Sequence, residues 1–302
     1  MEGSIYSVFF LQFQHQHFSC LAKVPKRGKD RDLGAVEVRV GKMLPVLAYH
    51  YFESKGCVCP SVKTEDRVYV VKAESFDQQM DHLRSKGYVS LCLSKERSNI
   101  QNRMCVISFD DGHISCYTIA FPILINQGMS GIFFICPGMV NREGNMTWSQ
   151  LRELVHAGLA VGSHSYSHVP LDSTDEKHLV FELTSSKKEI EDRLGIEVSS
   201  IALPMGYYSK RCLDAAKACG YTYVFTSRIG FNLHVKNNVY ERIMIKSHHT
   251  LKDFRRMVEF SVATKLKYGI INSAHTAARK TMPVSVFSAL RKALILRMME
   301  SK

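Results

Sequence analysis

Cys105-Val106-Ile107-Ser108-Phe109-Asp110-Asp111-Gly112-His113 is the stretch on which the fold turns. Its first five residues are compact and mostly apolar, with β-branched Val106 and Ile107 at the centre, which predicts a buried strand. The run stops in two adjacent carboxylates and a glycine. Apolar burial disfavours a charged carboxylate, so acids at the end of such a strand need a partner. On an extended backbone neighbouring side chains point opposite ways, and Gly112 permits a turn. One carboxylate is then set to bind a cation while the other handles a proton beside it. Taken alone, Asp-Asp-Gly also suits an ordinary turn or helix N-cap.

The same grammar recurs on both sides. Strand candidates are 44–50, 105–109, 131–136, 159–163, 200–203, 221–226 and 242–246. Between them lie helix-like segments. Phe76, Met80 and Leu83 recur at helical spacing before Lys86-Gly87. Thr147 is placed to cap 148–156, where Leu151, Leu154 and Val155 share a face. Residues 175–194 end at Gly195, and 210–219 close at Gly220. Strand and helix in repetition predict a parallel sheet with crossover helices. About seven strands suit a closed or nearly closed (β/α) barrel, with a doubly wound open sheet as the alternative. Both put functional residues just beyond the C-terminal ends of strands.

Two further constellations sit at predicted strand ends. Gly162-Ser163-His164-Ser165-Tyr166-Ser167-His168 follows the run Leu159-Ala160-Val161. Two histidines four apart meet on one face if the segment forms a helical turn, where their imidazoles can share a metal. Two histidines, a carboxylate and room for water make a usual open catalytic metal set. Ile201-Ala202-Leu203-Pro204-Met205-Gly206-Tyr207-Tyr208 runs from a strand into Pro-Met-Gly, a break that exposes backbone N–H groups suited to an oxyanion.

With these motifs in order, the chain resembles the polysaccharide deacetylase (NodB-homology) family over about residues 43–245. The matching stretches are Ser108-Phe109-Asp110-Asp111-Gly112, His164-Ser165-Tyr166-Ser167-His168 and Leu203-Pro204-Met205-Gly206-Tyr207. Leu47-Ala48-Tyr49-His50 and Met146-Thr147-Trp148-Ser149-Gln150-Leu151 support them. The resemblance implies a distorted (β/α)7 barrel and a hydrolase that removes acetyl groups from N-acetylated sugars. It also implies zinc or a similar divalent ion on Asp111, His164 and His168, with Asp110 as general base and the Met205 amide at the oxyanion. His50, Pro204, Tyr207 and Arg242 are the expected substrate contacts.

The chain departs from the family pattern in two places. Ala202 stands where many members carry an arginine that orients the catalytic aspartate, as in a subgroup similar to poly-N-acetylglucosamine deacetylases. Met205 stands where an aromatic residue is common. Leu233-His234 has the letters of the late Leu-His motif that supplies the general acid; His248, His249 and His275 are other candidates. The rival readings are a catalytically weak glycan-binding protein on the same barrel and a hydrolase of small non-sugar amides. Paired-carboxylate glycosidase chemistry leaves the histidine pair unexplained.

Composition sets the surroundings. The 302 residues carry a formal charge of +12, of which residues 251–302 hold +8, from eleven Lys or Arg and three acids. The middle of the chain, where the motifs lie, is close to neutral. Residues 1–42 are expected to be peripheral or partly disordered, 43–250 to form the barrel, and 251–302 a basic amphipathic helical extension. Such an extension packs on the barrel by default, or meets an anionic membrane surface; no nucleic acid is expected. Nine cysteines, an odd number, several in apolar runs, suggest a reducing compartment. With no basic n-region at the start, a cytoplasmic place is expected, peripherally at the inner membrane face. There the partner would be a glycan precursor.

Overall fold

The computed structural model describes residues 43–55, 62–93, 103–206, 209–230, 232, 238–259 and scattered positions between 268 and 293. The N-terminal segment, Tyr207, His234 and His275 lie outside them. So does most of the tail beyond residue 259.

The apolar runs pair as parallel strands. In chain order the strands are β1 (Val46–Tyr49), β2 (Tyr51–Glu53), β3 (Val70–Lys72), β4 (Val89–Ser90), β5 (Met104–Phe109), β6 (Ile132–Ile135), β7 (Ala160–Ser163), β8 (Ser200–Ala202), β9 (Tyr223–Phe225), β10 (Val239–Tyr240) and β11 (Ile243–Met244). The helices are α1 (Ala73–Ser85), α2 (Phe121–Asn126), α3 (Trp148–His156), α4 (Glu176–Leu194), α5 (Lys210–Ala218) and α6 (Leu251–Val258). The main sheet runs β10-β9-β8-β7-β6-β5-β1-β11, with β4 attached to β5; β2 and β3 form a separate ribbon.

The two ends of that sheet belong to one piece of chain. β10 pairs with β9 and β11 with β1, and only Glu241 and Arg242 separate them. Residues 239–244 are thus a single broken stave that bridges both edges. The sheet curls into a distorted seven-stave (β/α) barrel, and the doubly wound alternative is ruled out by this closure.

Alternation along the strands divides the core. Val46, Val106, Ile132, Phe134, Ala202 and Phe225 belong to a cluster with no helix residue in it, which fills the barrel. Leu47, Ile107, Phe133 and Ile201 face the other way and pack with Phe76, Leu83, Leu151, Leu183 and Ile190 of the helices. Strands buried on both faces read as continuous apolar runs, which is why they were legible. Where a Cβ is too much, glycine appears: one built on Gly162 in β7 would lie 2.7 Å from the Phe134 ring.

Helix ends follow local chemistry. Thr147 and Gln150 form a reciprocal capping box on α3, and Asp175 caps α4, which ends at left-handed Gly195. α2 enters through a π turn, residues 116–120, that periodicity does not reveal. The basic extension opens as expected with α6, capped by Thr250 and burying Phe254, Met257 and Val258. The rest of the expected extension falls mainly outside the described residues. No described helix is long and apolar enough to cross a membrane.

Candidate metal centre and active site

The candidate residues converge beyond the C-terminal ends of four staves. His50 follows β1, Asp110 and Asp111 follow β5, His164 follows β7, and Leu203-Pro204 follows β8. The Asp110 amide donates to Tyr49 O at 2.9 Å and the His164 amide to Ile135 O at 2.8 Å, so sheet bonds set where both loops begin.

The two carboxylates do not diverge as an extended backbone would require. Asp111 and Gly112 both adopt left-handed conformations, with φ of 71°. This bends the chain at once, so that both acids reach the same pocket. Nor do the histidines share a helical face. Their loop contains two left-handed residues, Ser165 at φ 62° and His168 at φ 63°. The fold back brings the imidazoles to a centroid separation of 5.0 Å.

Asp111, His164 and His168 present ligand atoms that all lie within 4.8 Å of one another. His164 Nε2 is 3.4 Å and His168 Nε2 3.2 Å from Asp111 Oδ1. His164 Nδ1 lies 2.7 Å from the carbonyl of Ala202. A carbonyl only accepts, so Nδ1 carries the proton and Nε2 keeps its lone pair for a ligand bond. The other Asp111 oxygen accepts from Tyr51 Oη at 2.8 Å. Two imidazoles and a carboxylate, with His164 and Asp111 oriented from behind, fit a divalent ion of the zinc type. Burial works against the Asp111 charge, but the bonds to His164 and His168 prevail and hold its pKa well below the usual range. Burial also works against the His168 cation, yet Asp111 beside it raises that pKa.

Asp110 stands next to this set without joining it. It is 2% exposed, and fully buried Arg242 grips it through two bonds of 2.7 Å, Nη1 to Oδ1 and Nη2 to Oδ2. The guanidinium also donates from Nε to Thr226 O at 2.9 Å. Burial alone would raise the Asp110 pKa; Arg242, with His164 and His50 nearby, reverses this and lowers it. Arg242, expected among the substrate contacts, is therefore a partner of Asp110, because its side chain points into the barrel from the break in the last stave. It supplies the guanidinium that Ala202, buried and without a charge, lacks.

His50 lies at the same wall. Its Nε2 is 3.9 Å from Asp110 Oδ2, its ring stacks on Tyr69 at 4.8 Å, and its side chain stays 16% exposed. Its Nδ1 is buried with no hydrogen-bond partner among the described residues, and burial lowers its pKa. Pro204 is buried, and Met205, at φ 56°, turns the chain and leaves its side chain 43% exposed. His249 is drawn into a local turn, its Nδ1 accepting from the Lys246 amide. Sequence reasoning missed Tyr51 and the part played by Arg242. Tyr51 carried one signal, its place directly after His50.

Residues 97–224 match the family model for polysaccharide deacetylase. YxkH of Bacillus subtilis, assigned as a polysaccharide deacetylase, is 28% identical over 195 residues, covering 62% of this chain and 65% of its own. The poly-beta-1,6-N-acetyl-D-glucosamine N-deacetylase of Escherichia coli is 22% identical over 245 residues, covering 64% of this chain and 36% of its own. The chain thus spans under two thirds of either relative. Among solved structures, the Streptococcus pyogenes deacetylase PplD superposes with a TM-score of 0.63 at 21% identity, covering 72% of this chain and 99% of that one. Motifs, barrel and matches thus agree in one direction: residues 97–224 are similar to the polysaccharide deacetylase family, and the barrel has the fold of a solved deacetylase.

Proposed function

We propose that this site is a metal-dependent N-deacetylase centre acting on N-acetylated sugars. The observation that carries the reading is the juxtaposition of a three-donor set with a separate, arginine-clamped carboxylate. Asp111, His164 and His168 would hold the ion, zinc by the character of the donors. Such an ion, when bound, lowers the pKa of a water and polarises the acetamido carbonyl.

The chain's own groups do the rest. Asp110 is kept ionised by Arg242 and accepts the proton of the attacking water, while Arg242 fixes both of its oxygens in place. The amide of Met205, at the turn after Pro204, donates to the developing oxyanion. His50 is the described imidazole nearest Asp110 and is placed to deliver a proton to the leaving amine. The sugar platform is assigned to Pro204, Met205 and Tyr207. The glycan-binding alternative rested on Ala202 and on the lack of an assured general acid; the Arg242 clamp on Asp110 weighs against the first of these.

Metal content of the purified protein, measured beside acetate release from N-acetylglucosamine oligomers with and without chelator, tests this. Stoichiometric metal and chelator-sensitive acetate are expected. Metal without acetate would point to another acyl substrate or to binding alone, and absence of both in zinc-supplied folded protein would sink the reading.

A further inference from the structure

The loop that carries both histidine ligands is held from outside the pocket by a buried carboxylate that no motif includes. Glu182 lies on α4 and is 1% exposed. Its Oε2 accepts from the Tyr166 amide at 2.8 Å and from the Ser167 amide at 2.9 Å. Its Oε1 accepts from the Ser167 hydroxyl and lies 3.3 Å from His178 Nε2. Tyr166 and Ser167 are the residues between His164-Ser165 and His168. Glu182 therefore satisfies the backbone at the centre of the ligand loop without touching either imidazole ring.

The loop needs such a partner. Ser165 and His168 both adopt left-handed backbone conformations, which cost non-glycine residues of order 1–3 kcal/mol each and persist only where neighbours over-determine them. One further bond comes from within the loop, Ser165 Oγ accepting from the His168 amide at 3.1 Å, and two from residues just after β6, the Cys136 thiol donating to His164 O at 2.9 Å and the Gly138 amide to Tyr166 O at 3.0 Å. The largest share comes from Glu182. Burial pushes its pKa up, but the Ser167 hydroxyl and the two amides outweigh burial and hold the carboxyl below its ordinary value. A buried charge that gathers this many donors is set by them, and sets them in turn.

We propose that Glu182 is the positioning residue for the metal centre: through Tyr166 N, Ser167 N and Ser167 Oγ it fixes the fold-back that brings His168 to His164 and Asp111. This rests on the reading of those three residues as metal ligands. A carboxylate with only a filling role would be replaced without loss by an apolar side chain of similar length. One that acts through hydrogen bonds would not.

The full-length chain is compared with Glu182→Ala, Glu182→Met and Glu182→Gln. Zinc affinity is measured by competition with a chromophoric chelator, and the melting temperature of the metal-free form checks folding. Loss of an orienting outer partner typically weakens metal binding about 10–100-fold. That loss is expected for Glu182→Ala and Glu182→Met, while Glu182→Gln, whose amide oxygen still accepts from both N–H groups, recovers most of it. With zinc saturating, kcat should return further than affinity does, with KM unchanged. Wild-type affinity in Glu182→Met overturns the proposal, since space-filling would then suffice. If the apolar variants do not fold, Ser167→Ala removes one donor and leaves the carboxylate; unchanged zinc affinity there overturns it equally. The affinity readout needs no turnover. Zinc binding without acetate release would therefore defeat the deacetylase reading alone, whereas an unperturbed Glu182 series would defeat only the positioning role.

Discussion

At the residue scale the chemistry comes down to two neighbouring carboxylates with opposite assignments. Asp111 faces two imidazoles and a tyrosine hydroxyl, whereas Asp110 faces a guanidinium. Asp110→Asn is expected to lower acetate release by about 10²–10⁴-fold while leaving metal bound. His164→Ala should lose both. Full activity in Asp110→Asn would show that another group takes the proton. The clamp itself is testable by stability. Arg242 and Asp110 are 0% and 2% exposed, and breaking a buried pair from one side strands the other charge at a cost of about 3–5 kcal/mol. Arg242→Met should show a loss of that order in urea unfolding. Much of it should return in the double variant Arg242→Met/Asp110→Leu, because no uncompensated charge remains. Independent, additive losses would deny the coupling.

At the element scale two joints are informative. Gly162 lies in β7, two residues before His164, with the Phe134 ring against its α-carbon. Phe134 in turn lies beneath the Arg242 guanidinium, 5.9 Å from its ring centroid. Gly162→Ala overpacks this contact and should cost about 1–3 kcal/mol, seen as a lower urea midpoint. A neutral result would mean that Phe134 yields freely. The second joint is α1 against α6, where His82 meets the Phe254 ring edge-on and lies 3.5 Å from Glu259. Burial lowers the His82 pKa and Arg255 adds to this, against the pull of Glu259. The folded chain therefore binds a proton here less readily than the unfolded one. Stability is complete above the ordinary histidine value of about 6.5 and declines as pH falls below it, until the folded pKa is passed. The slope of urea stability between about pH 7 and pH 5 should be shallower in His82→Leu. An unchanged slope would remove His82 from the account.

On the scale of the whole molecule, barrel closure and the candidate metal set draw on the same strands. The three donors come from the ends of two staves, β5 and β7, and the clamp comes from the broken stave between β10 and β11. An ion bound to the folded but not the unfolded chain stabilises it by about 2.7 kcal/mol at a hundredfold excess over Kd. For a chain of this size that raises Tm by about 4 °C. Calorimetry with zinc and with chelator should show the difference in wild type and none in His164→Ala. A metal-dependent shift that survives in His164→Ala would place the ion elsewhere.

The sequence by itself determined what depends on short range. Six staves and the second half of the seventh were visible as apolar runs, since parallel strands covered on both faces leave no polar alternation; Val239–Tyr240 was not. Thr147, Asp175 and Gly195 were legible as helix boundaries, because caps act over three or four residues. Asp110, Asp111, His164 and His168 stood out as paired acids and paired histidines at strand ends. What the tertiary structure decided is who faces whom. Asp110 and Arg242 are 132 residues apart, and their contact exists only because residues 239–244 bridge both edges of the sheet. The same holds for Tyr51 on Asp111, 60 residues apart, and for the Ala202 carbonyl behind His164, 38 apart. No local pattern encodes these pairs. They follow from the register of a closing sheet, which sets the distance between side chains far apart in sequence, and from left-handed turns at Asp111, Ser165 and His168, a conformation that Asp and His tolerate but that is uncommon for any residue other than glycine.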